Sequence, residues 1–179
     1  MCKQCELNPV YEFTNKRKVC KNCFIIWFQK KVLYTIRKFS MIKKEDIIGY
    51  KKNNSFRSVV LEDVLKFYAN KSPVKIIRNS RKITKMALSV TSDVVANEII
   101  ETLINGNLKS LKEKPIEGKI IKPLFLFLDK EVLLYAKLRK LKFKKINSKK
   151  NKIENFVNEL EEKHLELKHA IVNSYLELY

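Results

Sequence analysis

The sequence predicts an α/β fold in which a small cysteine-rich hairpin precedes a reduced parallel sheet flanked by helices. Three observations lead to this prediction. Short apolar segments alternate with longer segments of helical periodicity, which is typical of parallel strands joined by crossover helices. Hydrophobic residues make up 45% of the 179 positions, enough to bury a core. All four cysteines lie within the first 23 residues, which sets that segment apart from the rest.

The cysteines form two Cys-x-x-Cys pairs separated by fourteen residues. Each pair can form a tight turn that brings two thiolates to one ion, and two such turns make a closed four-thiolate site of the kind that binds structural zinc. Between the pairs, Val10 to Phe13 alternates and Asn15 to Lys18 turns, as in the hairpin of a zinc ribbon. We therefore predict a structural Zn²⁺ bound by Cys2, Cys5, Cys20 and Cys23, with an iron–sulfur cluster as the alternative.

The segment after the last cysteine predicts one helix that leaves the ribbon. Apolar residues recur there at helical spacing, and core packing accounts for its aromatics better than base stacking does. These residues are Phe24, Phe28, Val32, Ile36 and Phe39. The ribbon and this helix form a first predicted unit, residues 1–40, and residues 41–179 form the second.

The second unit alternates between predicted strands and helices. The predicted strands are Glu45–Tyr50, Val74–Ile77 and Lys85–Val90, followed by an extended segment, Gly118–Leu128, in which Pro123 argues against a regular central strand. The predicted helices are Ser58–Asn70 with Ser55 or Ser58 as N-cap, one from Thr91–Asp93 to Gly106, Asp129–Leu141 capped by Asp129, Lys152–Lys163 and Leu167–Leu178.

The net charge of +19 is concentrated in blocks without acidic residues. Ten Lys or Arg lie between Phe13 and Lys44, and nine lie between Lys137 and Lys152. Such self-repulsion adds no stability, so a polyanionic partner explains it better than a lysine-rich composition alone. The predicted phosphate contacts are Lys16, Arg17, Lys18, Lys21, Lys30, Lys31, Arg37, Lys38, Arg139, Lys140, Lys142, Lys144 and Lys145.

The sequence also predicts an intracellular, cytoplasmic chain. It shows neither a signal peptide nor an apolar stretch long enough to span a bilayer, so we expect no membrane association. Paired Cys-x-x-Cys motifs in a reducing compartment favour metal binding over disulfides.

Several segments resemble the tRNA 2-thiolation proteins. They are "VCKNCFIIWFQKKVLYTIRKF", "VTSDVVANEIIETLINGN", "IIKPLFLFLDKEVLLYAKLRKLKF" and "KIENFVNELEEKHLELKHAIVNSYLEL", in this order. The resemblance implies a zinc ribbon joined to a pyrophosphatase-loop α/β domain, Rossmann-like and of the adenine-nucleotide-hydrolase kind. Proteins of this family thiolate the wobble uridine of tRNA after activating it by adenylation.

The sequence departs from the catalytic members of that family at three points. Their Ser-Gly-Gly-x-Asp-Ser loop corresponds to Ile48–Ser55, which has one glycine and no acid. Their Gly-His-Asn-x-x-Asp-Asp motif corresponds to Ser89–Asp93, which has no histidine. No cysteine follows Cys23 to carry sulfur. The resemblance is therefore to the degenerate subunits, the cytoplasmic tRNA 2-thiolation protein 2 family.

This resemblance predicts that the chain is not an enzyme but a pseudoenzyme, a non-catalytic tRNA-binding subunit of the complex that 2-thiolates the wobble uridine of cytosolic tRNAs. Its expected partners are tRNA, a catalytic thiolase paralogue in a heterodimer, and a ubiquitin-like sulfur carrier. Two alternatives remain: an active ATP-dependent tRNA thiolase with an unusual loop, and a stand-alone zinc-ribbon nucleic-acid-binding protein.

Overall fold

The N-terminal segment folds as the predicted hairpin and helix. The computed structural model describes residues 1–78, 82–106, 114–144 and 152–178. Strand β1 (Pro9–Glu12) pairs antiparallel with β2 (Lys18–Cys20), and helix α1 (Lys21–Lys38) follows directly. The hairpin turn is closed by the Phe13 N–H, which donates to the Arg17 carbonyl at 2.9 Å.

A five-stranded sheet forms the centre of the described chain. Its strands are β3 (Ile47–Tyr50), β4 (Lys75–Arg78), β5 (Lys85–Ala87), β6 (Ile116–Glu117) and β7 (Ile120–Ile121). They lie in the order β4-β3-β5-β7-β6, and every neighbouring pair is parallel except β6 and β7. The predicted α/β class with a parallel sheet is thus confirmed.

Five further helices surround this sheet in the described residues. They are α2 (Phe56–Ala69), α3 (Ser92–Ile104), α4 (Asp129–Leu138), α5 (Lys152–Lys163) and α6 (Leu167–Glu177). The Ser55 hydroxyl caps α2 by accepting from the Ser58 N–H at 3.2 Å, which settles the predicted choice between these two serines. Helix α3 ends before Gly106, which has a φ of +68° that favours glycine.

Two predictions in the region before and at the start of α4 are wrong. Only Ile120 and Ile121 of the predicted extended segment continue the sheet, because the chain then turns, with the Phe125 N–H donating to the Lys122 carbonyl at 3.0 Å. Asp129 is the first residue of α4 rather than its cap. The Leu128 N–H before it is bound instead by the Glu131 carboxylate at 3.0 Å, and the Asp129 side chain is free to contact other helices.

The main core is continuous from the ribbon to the sheet. One cluster of buried side chains includes Cys20, Phe28, Ile48, Val64 and Ile121. A second cluster packs α6 against α3 and contains Val95, Ala96, Ile99, Phe125, Val172 and Tyr175. The division at residue 40 stays a prediction, and the first cluster extends across it. Among the described helices, none combines the length and the apolar character that crossing a membrane would require.

Candidate metal centre, strand-edge crevice and basic surface

The four cysteine sulfurs converge beside the start of α1. The Cys5 Sγ lies 3.7 Å from that of Cys2, 3.2 Å from that of Cys20 and 3.7 Å from that of Cys23, and all four sulfurs lie within 4.8 Å of one another. Thiolates placed about 2.3 Å from one tetrahedral ion would be about 3.8 Å apart. The spacing fits a single bound metal ion.

Backbone turns place these thiols and adjust their acidity. The Glu6 N–H donates to the Cys2 carbonyl at 3.0 Å, which closes the first turn. The Gln4 N–H beside the Cys2 thiol lowers its pKa to about 6, and the Cys23 N–H likewise lowers the pKa of Cys20. Burial raises the pKa of Cys23 to about 12. Two of the four thiols thus favour the thiolate form that a metal requires, and a bound cation would favour the others.

An aromatic cluster joins the metal centre to the body of the protein. The Tyr11 ring of the hairpin lies 5.0 Å from the Phe24 ring of α1, centroid to centroid. Further along α1, the Phe28 ring lies 4.3 Å from that of Phe127 and 4.1 Å from that of Tyr135 on α4. The hairpin is therefore joined to α4 through aromatic side chains that lie on the apolar face of α1.

A second candidate site lies at the carboxyl ends of β3 and β5. Strand β4 lies on one side of β3, and β5, the next strand along the chain, lies on the other side of β3. This reversal of strand order is where open α/β sheets bind ligands. Lys51 and Lys52 follow β3 at this edge, and Thr91 precedes α3 after β5.

The loop from Lys51 to Ser55 is closed by its own hydrogen bonds. The Asn53 N–H donates to the Ser58 hydroxyl at 3.1 Å, and the Ser55 N–H donates to the Asn53 side chain at 2.9 Å. These two loop amides are already hydrogen-bonded, so they are not available to a phosphate. Gly49 serves packing, because a Cβ there would lie 2.8 Å from the Ile83 Cγ2.

A half-buried polar network beside this crevice was missed by sequence reasoning. The Asp129 carboxylate pairs with Arg57 and accepts from the Thr91 hydroxyl at 2.8 Å. The Asp129 N–H donates to the Asp93 carboxylate at 2.7 Å, and Lys168 of α6 contacts that carboxylate at 2.5 Å. The network joins the first turns of four helices. Acidic and hydroxyl residues at the starts of helices α3 and α4 were the signal that could have indicated it.

Most of the predicted phosphate contacts are exposed. The exposed residues are Lys16, Lys18, Lys21, Lys30, Arg37, Lys38, Arg139, Lys140, Lys142 and Lys144. Lys145 lies outside the described residues. Among these, Lys18 pairs with Glu12 at 3.5 Å and Arg139 pairs with Asp63 at 3.0 Å, so both positive charges are partly neutralised.

Two of the predicted contacts are half-buried and make contacts within the protein. Lys31 pairs with the buried Glu131 at 3.3 Å, and its Nζ lies 4.6 Å from the centre of the Phe127 ring. Burial lowers the pKa of Lys31, and the charge of Glu131 opposes that change. Arg17 is half-buried, with its guanidinium 4.4 Å from the centre of the Phe13 ring. The structure therefore assigns structural contacts to both side chains.

Comparison with known proteins identifies the fold. No protein-family model and no curated protein sequence matches the chain. Among solved structures, it is similar to the U34-tRNA thiolase NcsA from Methanococcus maripaludis, determined with its 4Fe–4S cluster. The TM-score is 0.81 at 20% sequence identity, and the match covers 99% of this chain and 86% of that chain. The class that this likeness defines is an α/β protein with the thiolase fold.

This comparison overturns the prediction that the chain is not an enzyme. The fold shared along nearly its whole length is that of a catalytic tRNA thiolase. The altered loop after β3 and the altered residues before α3 suggested a loss of catalysis from the sequence. They do not disturb the shared fold, and this chain has a crevice at the carboxyl ends of its parallel strands.

Proposed function

We propose that the chain acts in the thiolation of U34 in tRNA as an ATP-dependent thiolase. The observation that carries the proposal is the fold of a U34-tRNA thiolase over 99% of the chain. The converging cysteines and the exposed basic residues support it, since a tRNA enzyme needs a positively charged surface for the phosphate backbone.

Cationic side chains at the strand edge would bind the ATP phosphates. The buried Glu62 carboxylate holds three cations, Lys52 at 3.1 Å, Lys66 at 2.7 Å and Arg78 at 2.7 Å. Three positive charges around one negative charge leave an excess that an anion would neutralise. Lys52 follows β3 beside the crevice, and Arg78 ends the adjacent strand β4, so both lie at the carboxyl edge of the sheet at which the nucleotide is expected.

The sulfur atom must come from outside the chain. All four cysteines lie in the metal centre, so none is left to carry a persulfide. In the proposed reaction the 2-carbonyl oxygen of uridine attacks the α-phosphate of ATP, and pyrophosphate leaves. Hydrosulfide then attacks C2 of the uridine, the carbon that carries the adenylated oxygen, and AMP leaves with that oxygen. The products are 2-thiouridine, AMP and pyrophosphate, which balances the atoms without an oxidant.

We propose zinc as the metal bound by the four cysteines. A single tetrahedral ion places its thiolate ligands at about the spacing observed here. In a four-iron cluster each thiolate binds a different iron, which requires a wider ring of sulfurs. The bound metal would fix the hairpin and, through α1, the orientation of the basic surface. Partnership with a paralogue or a ubiquitin-like carrier and a cytoplasmic location stay predictions.

The experiment uses the purified full chain with ATP, inorganic sulfide and a tRNA carrying U34. We expect thiouridine in the digested tRNA and one pyrophosphate released per thiolation. Arg78→Ala should lower the rate at limiting ATP. Lys66→Ala is the matched control, since Lys66 also pairs with Glu62 but lies nearly three turns beyond the start of α2. A chain that neither binds ATP nor forms thiouridine under these conditions would contradict the proposal.

A further inference from the structure

The solvent-facing side of α1 carries an unusual combination of side chains. Five residues that follow one another at intervals of three or four positions, or are adjacent, lie on one arc of the helix. They are Ile26, Lys30, Tyr34, Arg37 and Lys38. All five are exposed, and the exposed fractions of Ile26 and Tyr34 are 52% and 51%. The arc contains three cations, an aromatic ring and an aliphatic side chain.

The opposite face of α1 explains why this arc is fixed in solvent. Phe24, Phe28, Val32 and Ile36 are buried in the main core. Rotating the helix to bury Tyr34 would expose these side chains, at a cost of about 1.5–3 kcal/mol for each one. Tyr34 is therefore held outward by the packing of the rest of the helix.

The charges on this arc are not neutralised within the described part of the chain. The sequence has no acidic residue from Phe13 to Lys44. Lys30, Arg37 and Lys38 form no ion pair with any described acidic side chain. Arg37 donates to the Leu33 carbonyl at 3.3 Å, and the Lys38 Nζ lies 5.9 Å from the centre of the Tyr34 ring. An isolated exposed ring is ordinary, but one surrounded by unpaired cations matches the chemistry of single-stranded nucleic acid binding.

We propose that this arc of α1 binds an unpaired nucleotide of the RNA substrate, with Tyr34 as the ring on which the base stacks. Lys30, Arg37 and Lys38 contact the flanking phosphates. The inference rests on the proposed function for the identity of the RNA. The inference adds an aromatic residue that stacks on a base, whereas the RNA contacts predicted from the sequence are all Lys or Arg. An unpaired nucleotide is required because a base in an A-form helix has both faces covered by its neighbours.

The test measures tRNA binding by the full, metal-loaded chain across a range of salt concentrations. Tyr34→Ala should weaken binding by about 5- to 140-fold, the equivalent of about 1–3 kcal/mol per stacked base. It should leave the slope of log affinity against log salt unchanged, because no charge is lost. Arg37→Ala should instead reduce that slope by about 0.7–0.9, the contribution of one phosphate contact. Tyr34→Phe keeps the ring and should bind within about twofold of the unmodified chain.

A second pair of ligands separates stacking from charge. The Tyr34→Ala penalty should appear with a single-stranded RNA oligonucleotide and be absent with a blunt RNA duplex of equal charge. If the Tyr34→Ala variant bound single-stranded RNA with an affinity within twofold of that of the unmodified chain, the inference would be wrong and the proposed function would still stand. Failure of the unmodified chain to bind any tRNA would overturn the proposed function itself. Since Tyr34 is exposed, thermal unfolding of each variant should match that of the unmodified chain.

Discussion

Replacing Glu131 by alanine tests the link between the ribbon helix and the body. Glu131 is 3% exposed and its two oxygens have different partners. One oxygen accepts from the Leu128 N–H at 3.0 Å and faces the Lys31 ammonium at 3.3 Å, and the other lies 3.5 Å from the Tyr11 hydroxyl. The carboxylate therefore caps α4 and neutralises a lysine from α1 at the same time.

The expected loss of stability follows from these two contacts. Removing the acceptor for the Leu128 N–H costs about 1 kcal/mol, as for other helix caps. Leaving the Lys31 ammonium without its partner costs about 1–3 kcal/mol, with the lower part of this range favoured because the Lys31 side chain is 21% exposed and reaches water. The Glu131→Ala protein should thus lose about 2–3 kcal/mol of its free energy of unfolding.

Urea denaturation of the metal-loaded protein measures this loss, provided that unfolding is two-state. Glu131→Gln keeps an acceptor for the Leu128 N–H and should lose only about half as much. The double variant Lys31→Met, Glu131→Ala should lose less free energy of unfolding than the two single variants lose in total, and the difference should exceed about 0.5 kcal/mol. Additive costs would show that the two side chains do not interact, and the reasoning would be wrong.

Two further predictions concern pH and metal. Burial alone would raise the pKa of Glu62, but Lys66, Arg78 and Lys52 lower it to about 2 from its ordinary value of 4.5. The contribution of Glu62 to the free energy of unfolding is therefore complete above pH 4.5 and is lost as the pH falls toward 2. Glu62→Gln should therefore flatten the loss of stability between pH 5 and 3 in urea titrations, and an unchanged pH profile would count against these ion pairs. Elemental analysis should find one zinc per chain at the four-thiolate centre. Because Trp27 packs on the hairpin, removal of the metal by a chelator should change its fluorescence. Fluorescence of Trp27 that does not change would show that the hairpin folds without the metal.

The features predicted correctly from the sequence are those that local patterns determine. The spacing of the cysteines places four thiols on two turns, and the structure brings their sulfurs within 4.8 Å. The period of Phe24, Phe28, Val32 and Ile36 identifies the buried face of α1, because residues four apart lie on one side of a helix. Short apolar runs separated by helical segments similarly identify a parallel sheet.

The features that sequence reasoning missed depend on residues far apart in the chain. Lys31 and Glu131 are 100 positions apart, and nothing near Lys31 indicates that its charge is neutralised. Asp129 was predicted as a helix cap because it precedes an apolar run, but its carboxylate contacts Arg57 and Thr91 at distances of 72 and 38 residues along the chain. Which cations are exposed at the surface and which hold the fold together is a property of the assembled structure.

The loop after β3 is shaped by side-chain hydrogen bonds rather than by glycines. A glycine-rich loop binds phosphate through free backbone amides, which requires residues without Cβ atoms at close approach. Here the side chains of Ser58 and Asn53 accept hydrogen bonds from two of the loop amides, those of Asn53 and Ser55, and fix the shape of the loop. In the proposed function, phosphate recognition would depend chiefly on charge, from Lys52 and Arg78 held by Glu62. Since Glu62 pairs with both Lys52 and Arg78, a triphosphate entering the proposed site would have to share these cations with that carboxylate. The affinity for nucleotide would then be set by how the two anions divide the excess positive charge.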